Sequence, residues 1–302
     1  MSHPLVSIVI PAYKARYLRE AIASALAQDY PAIEIMVSDQ CPDEQVRTLV
    51  DELPEIAYQR NPVHGVYSNF RQCIRIANGE FIKFLLDDDL LLPDCVEKMV
   101  AAFAKYPDAT LVSGWYRLIN EAGEEIQVRR METDRTIVSS PGGAAPPMLM
   151  SARNPIGPLT TCMFRRRSLP CGLGPYFFHT GAPEQYFGLI DMTIILDLTF
   201  LGRTVVLPEV LSAMRMHPEQ LSNPDTNSRL VHSIKSWLPL AEDAFAFGLL
   251  SRQQHIQALD TILAQFKRFI RLFPELADDA EHLQTRLESL RKSTPPSMKH
   301  SV

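Results

Sequence analysis

The chain has no uninterrupted apolar stretch of the roughly 18 residues that a membrane-spanning helix requires. The nearest approach, LIDMTIILDLTFLG, is broken by Asp191 and Asp197. The opening MSHPLVSIVIPAY has neither a basic leader nor a long apolar segment, so no secretory signal is expected. The five cysteines (Cys41, Cys73, Cys95, Cys162 and Cys171) are odd in number and never fall at C-x-x-C spacing. A zinc site or disulfide framework is therefore not expected, and a reduced, cytoplasmic setting is. Basic charge is not in excess. The formal net charge of −5 argues against a general nucleic-acid binder, though not against a phosphate-bearing small molecule bound locally. There is no internal repeat.

What is present is an ordinary globular composition, with 46% hydrophobic and 22% charged residues over 302 positions. LVSIVIPAY reads as a buried strand. In ARYLREAIASALAQ the apolar residues Leu18, Ala21, Ile22, Ala25 and Leu26 recur on one face of a helix. AIEIMVSD, EIAYQR and EFIKFLL follow as strands, separated by the helices DEQVRTLVDEL and GVYSNFRQCIRIAN, the latter closed by Gly79. Pro93 opens a further helix. This alternation predicts an α/β sheet of mostly parallel order, with ligands beyond the carboxyl ends of the strands. Later, ATLVSGWYRLI and EEIQVRR read as strands joined through Gly123. The Pro- and Gly-rich stretch 132–158 reads as a mobile loop. LTTCMFRRRSL reads as a strand, residues 183–202 as a helix and TVVLPEVLSAMRMH as a strand pair. From about Arg229, amphipathic helices take over. The tail RKSTPPSMKHSV is expected to be disordered.

The fourth of these strands ends in three consecutive acids, Asp87, Asp88 and Asp89, flanked by apolar residues on both sides. Like charges that close raise one another's pKa and oppose burial. No Lys or Arg lies nearby in sequence to pair with them, Lys83 being part of the strand itself. A divalent cation would relieve the repulsion. Oxygen ligands suit Mg²⁺ or Mn²⁺, and such ions commonly combine one or two carboxylates with substrate phosphates. A solvated turn is the plainer alternative.

Four segments in order carry a resemblance: VSIVIPAY at 6–13, EIMVSDQCPDE at 34–44, residues 65–94 around the triplet, and residues 189–222. Over about residues 4–222 the chain resembles the family 2 inverting glycosyltransferases of GT-A fold. The resemblance implies a mixed α/β sheet flanked by helices, with a C-terminal helical extension. It also implies a metal, Mn²⁺ or Mg²⁺, and a nucleotide-sugar donor, expected to be a UDP-sugar. Pro11, Ala12 and Tyr13 would line the nucleotide pocket, and Asp39 would bond the base. Asp87 and Asp89 match the Asp-x-Asp acids. Asp87 and Asp88 would sit by the donor, and Asp89 would bind the metal together with Asp87 and His217. Asp191 falls where the family places its catalytic base, with Glu184 as the alternative. Arg215 and His217 match a late R-x-H segment near the diphosphate.

The resemblance divides the chain into a glycosyltransferase domain at 1–228 (nucleotide half 1–106, acceptor half 107–228), a helical extension at 229–292 and the tail at 293–302. There are departures from the family pattern. Ser38-Asp39-Gln40-Cys41 replaces the usual D-D-G-S, Ile190 replaces the acid before the base, and a Q-x-x-R-W segment is absent. A non-processive enzyme follows, one that adds one sugar to a saccharide or lipid-linked acceptor in bacterial surface polysaccharide assembly. Arg165, Arg166 and Arg167 read as a charged strand end or as contacts to an acceptor phosphate. The C-terminal helices could pack back on the sheet, form a homodimer, or, through QFKRFIRLF, touch a membrane peripherally. A sugar-1-phosphate nucleotidyltransferase would need a Gly-rich loop that PAYKARYLRE lacks. A catalytically inactive sugar-binding relative is the remaining alternative.

Overall fold

The computed structural model describes residues 3–131, 133–169, 189–220 and 230–292. Strand β1 (Val6–Ala12) runs parallel between β2 (Ile33–Asp39) and β4 (Phe81–Phe84), and β3 (Ala57–Arg60) extends the sheet beyond β2. Every residue of β1 and β4 is buried, which is why both read as continuous apolar runs rather than alternating ones. β9 (Cys162–Arg165) enters antiparallel between β4 and β6 (Ala109–Ile119) and makes the sheet mixed. β10 (Arg203–Arg215) pairs with β6, and the two-residue β5 (Leu90–Leu91) pairs with β10.

Helices cover both faces. One core joins α1 (Leu18–Leu26), α2 (Gln45–Asp51) and α4 (Cys95–Lys105) to the sheet. The other gathers α3 (Val66–Ile76), α5 (Ala145–Ser151), α6 (Ile190–Leu201) and the C-terminal helices α7 (Leu230–Ala246), α8 (Arg252–Phe269) and α9 (Leu276–Lys292). The C-terminal helices thus pack back on the sheet domain. α8 is started by a Ser251–Gln254 capping box. It is tied to the α5 region by Thr261 Oγ1 donating to Met150 O (2.7 Å) and Gln265 Nε2 donating to Ala152 O (3.0 Å). In QFKRFIRLF, Phe266 and Phe273 are buried in this core and Leu272 is exposed, so most of its apolar face is already in use. No helix among the described residues is long and apolar enough to cross a membrane.

Four expectations are corrected. The stretch 132–158 is not all loop: β8 (Ile137–Ser139) pairs antiparallel with β10, and α5 starts with prolines in its first turn, where proline is well tolerated. Residues 204–217 are not a strand pair. β10 is one strand whose register shifts between Val206 and Ser212, and this irregularity accommodates Pro208, which has no N–H to give a ladder. Gly79 does not cap α3, which ends at Ile76 with Ala77 extended. Gly79 is needed because a Cβ there would lie 2.7 Å from Leu5 O and Ser7 N at the start of β1. Arg165 is not a surface charge. It is buried over the rings of Phe81 and Phe103 and paired with Glu80.

Candidate functional site

Parallel pairing brings the carboxyl ends of β1, β2 and β4 to one rim, and with them Ala12, Asp39 and the acidic triplet. Asp87 Oδ2 accepts from the backbone N–H groups of Tyr13 (2.7 Å) and Lys14 (2.9 Å), which locks the triplet to the turn after β1. Burial, and then the charge of Asp88, push the Asp87 carboxyl up to about 6, against the pull of those two N–H groups. Asp89 is buried. Its Oδ2 accepts from the Thr160 hydroxyl (2.6 Å) and its Oδ1 from the backbone N–H of Arg215 (3.1 Å). Burial and Asp88 hold its carboxyl well above the usual carboxylate range. Asp88 is half-buried, its side chain 28% exposed. Its backbone carbonyl accepts from Arg215 Nε (3.1 Å), and its Oδ2 lies 3.0 Å from His217 Nε2. Among the described residues, His217 is the only Lys, Arg or His side chain in ion-pair contact with the triplet.

β10 supplies the wall behind. Arg215 was expected near the diphosphate, but the structure turns it inward. Its guanidinium donates to Asp88 O, to Asn120 O (3.3 Å) and Glu121 O (2.9 Å), and to Glu20 Oε2 (2.6 Å), and it lies 4.5 Å above the Tyr17 ring. His217, two residues on, is 9% exposed, packs against Tyr17, and keeps a buried Nδ1 with no partner.

At the end of β1, Pro11 and Ala12 are buried and Tyr13 is 56% exposed. Asp39 is fully buried, and its carboxylate is shared among three donors of the chain: Cys41 N (2.6 Å), Tyr58 OH (2.7 Å) and Arg60 Nη1 (2.6 Å). Asp191 stands in the first turn of α6, half-buried, and its carboxyl is raised by burial. The Cys162 thiol on β9 is raised chiefly by burial, with a smaller push from the Asp191 charge. Glu184 and Cys171 lie outside the described residues. The other four cysteines are buried and free.

Beneath the triplet lies a group that sequence reasoning passed over. Lys83 is fully buried, and its ammonium donates to the carbonyls of Thr160 and Cys162 (3.3 Å for the latter). The Thr160 hydroxyl also accepts from Leu86 N (3.1 Å), so Lys83 and Thr160 together fix the far side of the triplet. A lysine within an otherwise apolar strand was the available signal for Lys83. Thr160 lies 71 residues from Asp89 and gave none.

The arrangement sets the half-buried Asp88 against the buried imidazole of His217, on a rim braced by Asp87 and Asp89. No three His, Cys, Asp or Glu side chains among the described residues converge as a ready-made metal cage. Residues 7–172 match the family described as Glycosyl transferase family 2. An uncharacterized glycosyltransferase of Rickettsia felis is 37% identical over 129 residues, 41% of this chain and 21% of its own length. The matched stretch is thus about a fifth of that relative. Chondroitin synthase of Pasteurella multocida is 30% identical over 128 residues, 41% of this chain and 13% of its own length. Among solved structures, S. aureus TarS residues 1–349 in complex with UDP-GlcNAc has a TM-score of 0.53 at 15% identity, covering 95% of this chain and 91% of that one. At that identity the likeness speaks for the fold, a mixed sheet of GT-A type. With more than half of its length matched by the family, this chain belongs to glycosyl transferase family 2.

Proposed function

We propose that the protein transfers a sugar, with inversion, from a UDP-sugar to a hydroxyl of a saccharide or lipid-linked saccharide acceptor, with a divalent cation at the triplet. The observation that carries this reading is the crowding of three carboxylates at one strand end, where Asp87 and Asp89 are tied to the chain and Asp88 meets the His217 imidazole. The donor set fits a hard or borderline cation. Its carboxylate is half-buried beside an imidazole, that imidazole has a nitrogen without a partner, and the neighbouring raised carboxyls would be eased by positive charge. Asp88 and His217 would hold the ion with Asp89 behind them. The metal contact expected at Asp89 stays open, because each of its oxygens keeps a lone pair beyond the bonds from Thr160 and Arg215, and Asp88 would add to it.

When bound, the ion would supply Lewis-acid neutralisation of the departing diphosphate. The chain's own residues do the rest. Tyr13 offers an exposed ring face to the base. The backbone at Tyr13 and Lys14, pinned on Asp87, shapes the phosphate rim. Asp191 takes the proton of the acceptor hydroxyl, and its raised pKa makes it a stronger base than an exposed carboxylate. Such proton transfer contributes typically ~10²–10⁴-fold. That TarS was solved with UDP-GlcNAc supports the choice of UDP. That curated relatives include synthases such as chondroitin synthase supports a polysaccharide product.

The test is thermal stabilisation by UDP with and without Mn²⁺, in wild type, Asp88→Ala and Asp89→Ala. The expected result is metal-dependent stabilisation that both substitutions abolish. Equal stabilisation of all three proteins removes the metal site. Stabilisation by a nucleoside triphosphate with a sugar phosphate, and none by UDP, favours a nucleotidyltransferase.

A further inference from the structure

A cleft of about 850 Å³ lies between α3 and the turn after β9, and four arginines line it: Arg71, Arg75, Arg166 and Arg167. Arg71 and Arg75 are one turn apart on α3, on the same face as Ser68 and Gln72. Arg166 is anchored by its backbone N–H on Glu80 O (2.9 Å) and its Nε on Gly79 O (2.9 Å), so the opposite wall is held rigidly to the sheet. Among the described residues none of the four has a carboxylate within 4.0 Å, although most other arginines of the chain do. A second observation points the same way. Gln72 lines the cleft and is 5% exposed; its Oε1 accepts from Arg75, yet its buried Nε2 has no acceptor. One end of the cleft shares a wall with the donor rim. Asn61 donates to Asp39 O (2.8 Å) and to Asn69 Oδ1 (3.4 Å), and Asn69 donates to Ala12 O (3.3 Å).

We infer that this cleft binds an anionic saccharide chain, one bearing phosphate or carboxylate groups, and that this chain is the acceptor; the second clause rests on the function proposed above. Guanidinium groups gathered without counter-charges repel one another, and an anion relieves this while using their planar, bidentate donors. The net charge of −5 makes the cleft a local exception, so an anion is drawn to this one place rather than to the surface at large. A cleft of this volume takes in a chain, whereas a flat bilayer does not enter it.

The experiment measures binding of short polyphosphate, oligogalacturonate, neutral dextran and phosphatidylglycerol vesicles to wild type, to Arg71→Gln/Arg75→Gln and, separately, to Arg167→Gln. UDP stabilisation is recorded on the same samples. Wild type is expected to bind at least one polyanion in a salt-sensitive way and not to bind dextran. The double variant should lose about tenfold or more, since charged hydrogen bonds are removed, with its UDP response unchanged. Preference between the two polyanions identifies the acidic group. Undiminished binding by both variants, no polyanion binding, or binding to vesicles alone overturns the inference. Failure of the UDP response in wild type with polyanion binding intact removes the donor reading and leaves the anion site standing.

Discussion

Arg215 and Glu20 form one ion pair whose two ends are buried very differently. The Arg215 side chain is 0% exposed and that of Glu20 is 54% exposed. An exposed partner contributes little, about 0–1 kcal/mol, and Arg215 keeps three carbonyl acceptors without it. Glu20→Gln should therefore cost less than about 1 kcal/mol. Arg215→Met keeps most of the aliphatic volume but strips the donors from the carbonyls of Asp88, Asn120 and Glu121. Asn120 O keeps the Gly123 N–H and Glu121 is exposed to water, so the Asp88 carbonyl is the acceptor left unpaired, at a cost of about 1–3 kcal/mol. Urea unfolding at constant slope reads both values. Because Arg215 Nε holds the Asp88 carbonyl, the Met variant should also bind UDP more weakly in the presence of Mn²⁺, while Glu20→Gln should not. Equal losses for the two variants, or a loss below about 1 kcal/mol for Arg215→Met, would refute the idea that carbonyl ligation, rather than the ion pair, anchors this loop.

Three further outcomes are expected. Asp191→Asn should lower turnover by ~10²–10⁴-fold while leaving UDP-dependent thermal stabilisation intact; retained turnover would exclude it as the base. Asp87 has a native pKa of about 6 against 3.8 for an ordinary aspartate, so the native state binds more protons between those values. Its contribution should therefore lower stability as pH rises from about 4 to about 6, and the fall should flatten in Asp87→Asn, as calorimetric scans across that range would show. Gly79→Ala should destabilise by about 1–3 kcal/mol in the same urea assay, because its methyl would press on backbone atoms of Leu5 and Ser7 that cannot move independently of β1; a neutral result would mean that the edge relaxes freely.

Much of the nucleotide half was legible because its signals are local. The burial of β1 and β4 shows as β-branched and aromatic runs, and α1 shows as apolar residues at helical spacing. The triplet declared itself by placing charge where the flanking residues demand burial. The second half read less well. Pro and Gly between residues 140 and 158 suggested a loop, but two of the prolines start α5, whose apolar face is covered by a helix more than 100 residues later. Residues 204–217 suggested a strand pair, but β10 is one strand that absorbs Pro208 in a bulge against β6. In both places a distant partner outweighed local propensity.

The sequence by itself determined which groups carry charge, which stretches must be buried, and that a cluster of acids closes a strand in an alternating α/β pattern. These follow from side-chain chemistry and backbone period, which neighbours along the chain suffice to reveal. Only the tertiary structure decided what each carboxylate meets. Asp87, Asp88 and Asp89 are identical residues in a row, and they differ solely in what meets them: the turn after β1, His217, and Thr160 with the Arg215 amide. Those partners arrive from separate strands. Because charge interactions and hydrogen bonds act over only a few ångströms in a packed interior, an identical side chain takes a different role at each position.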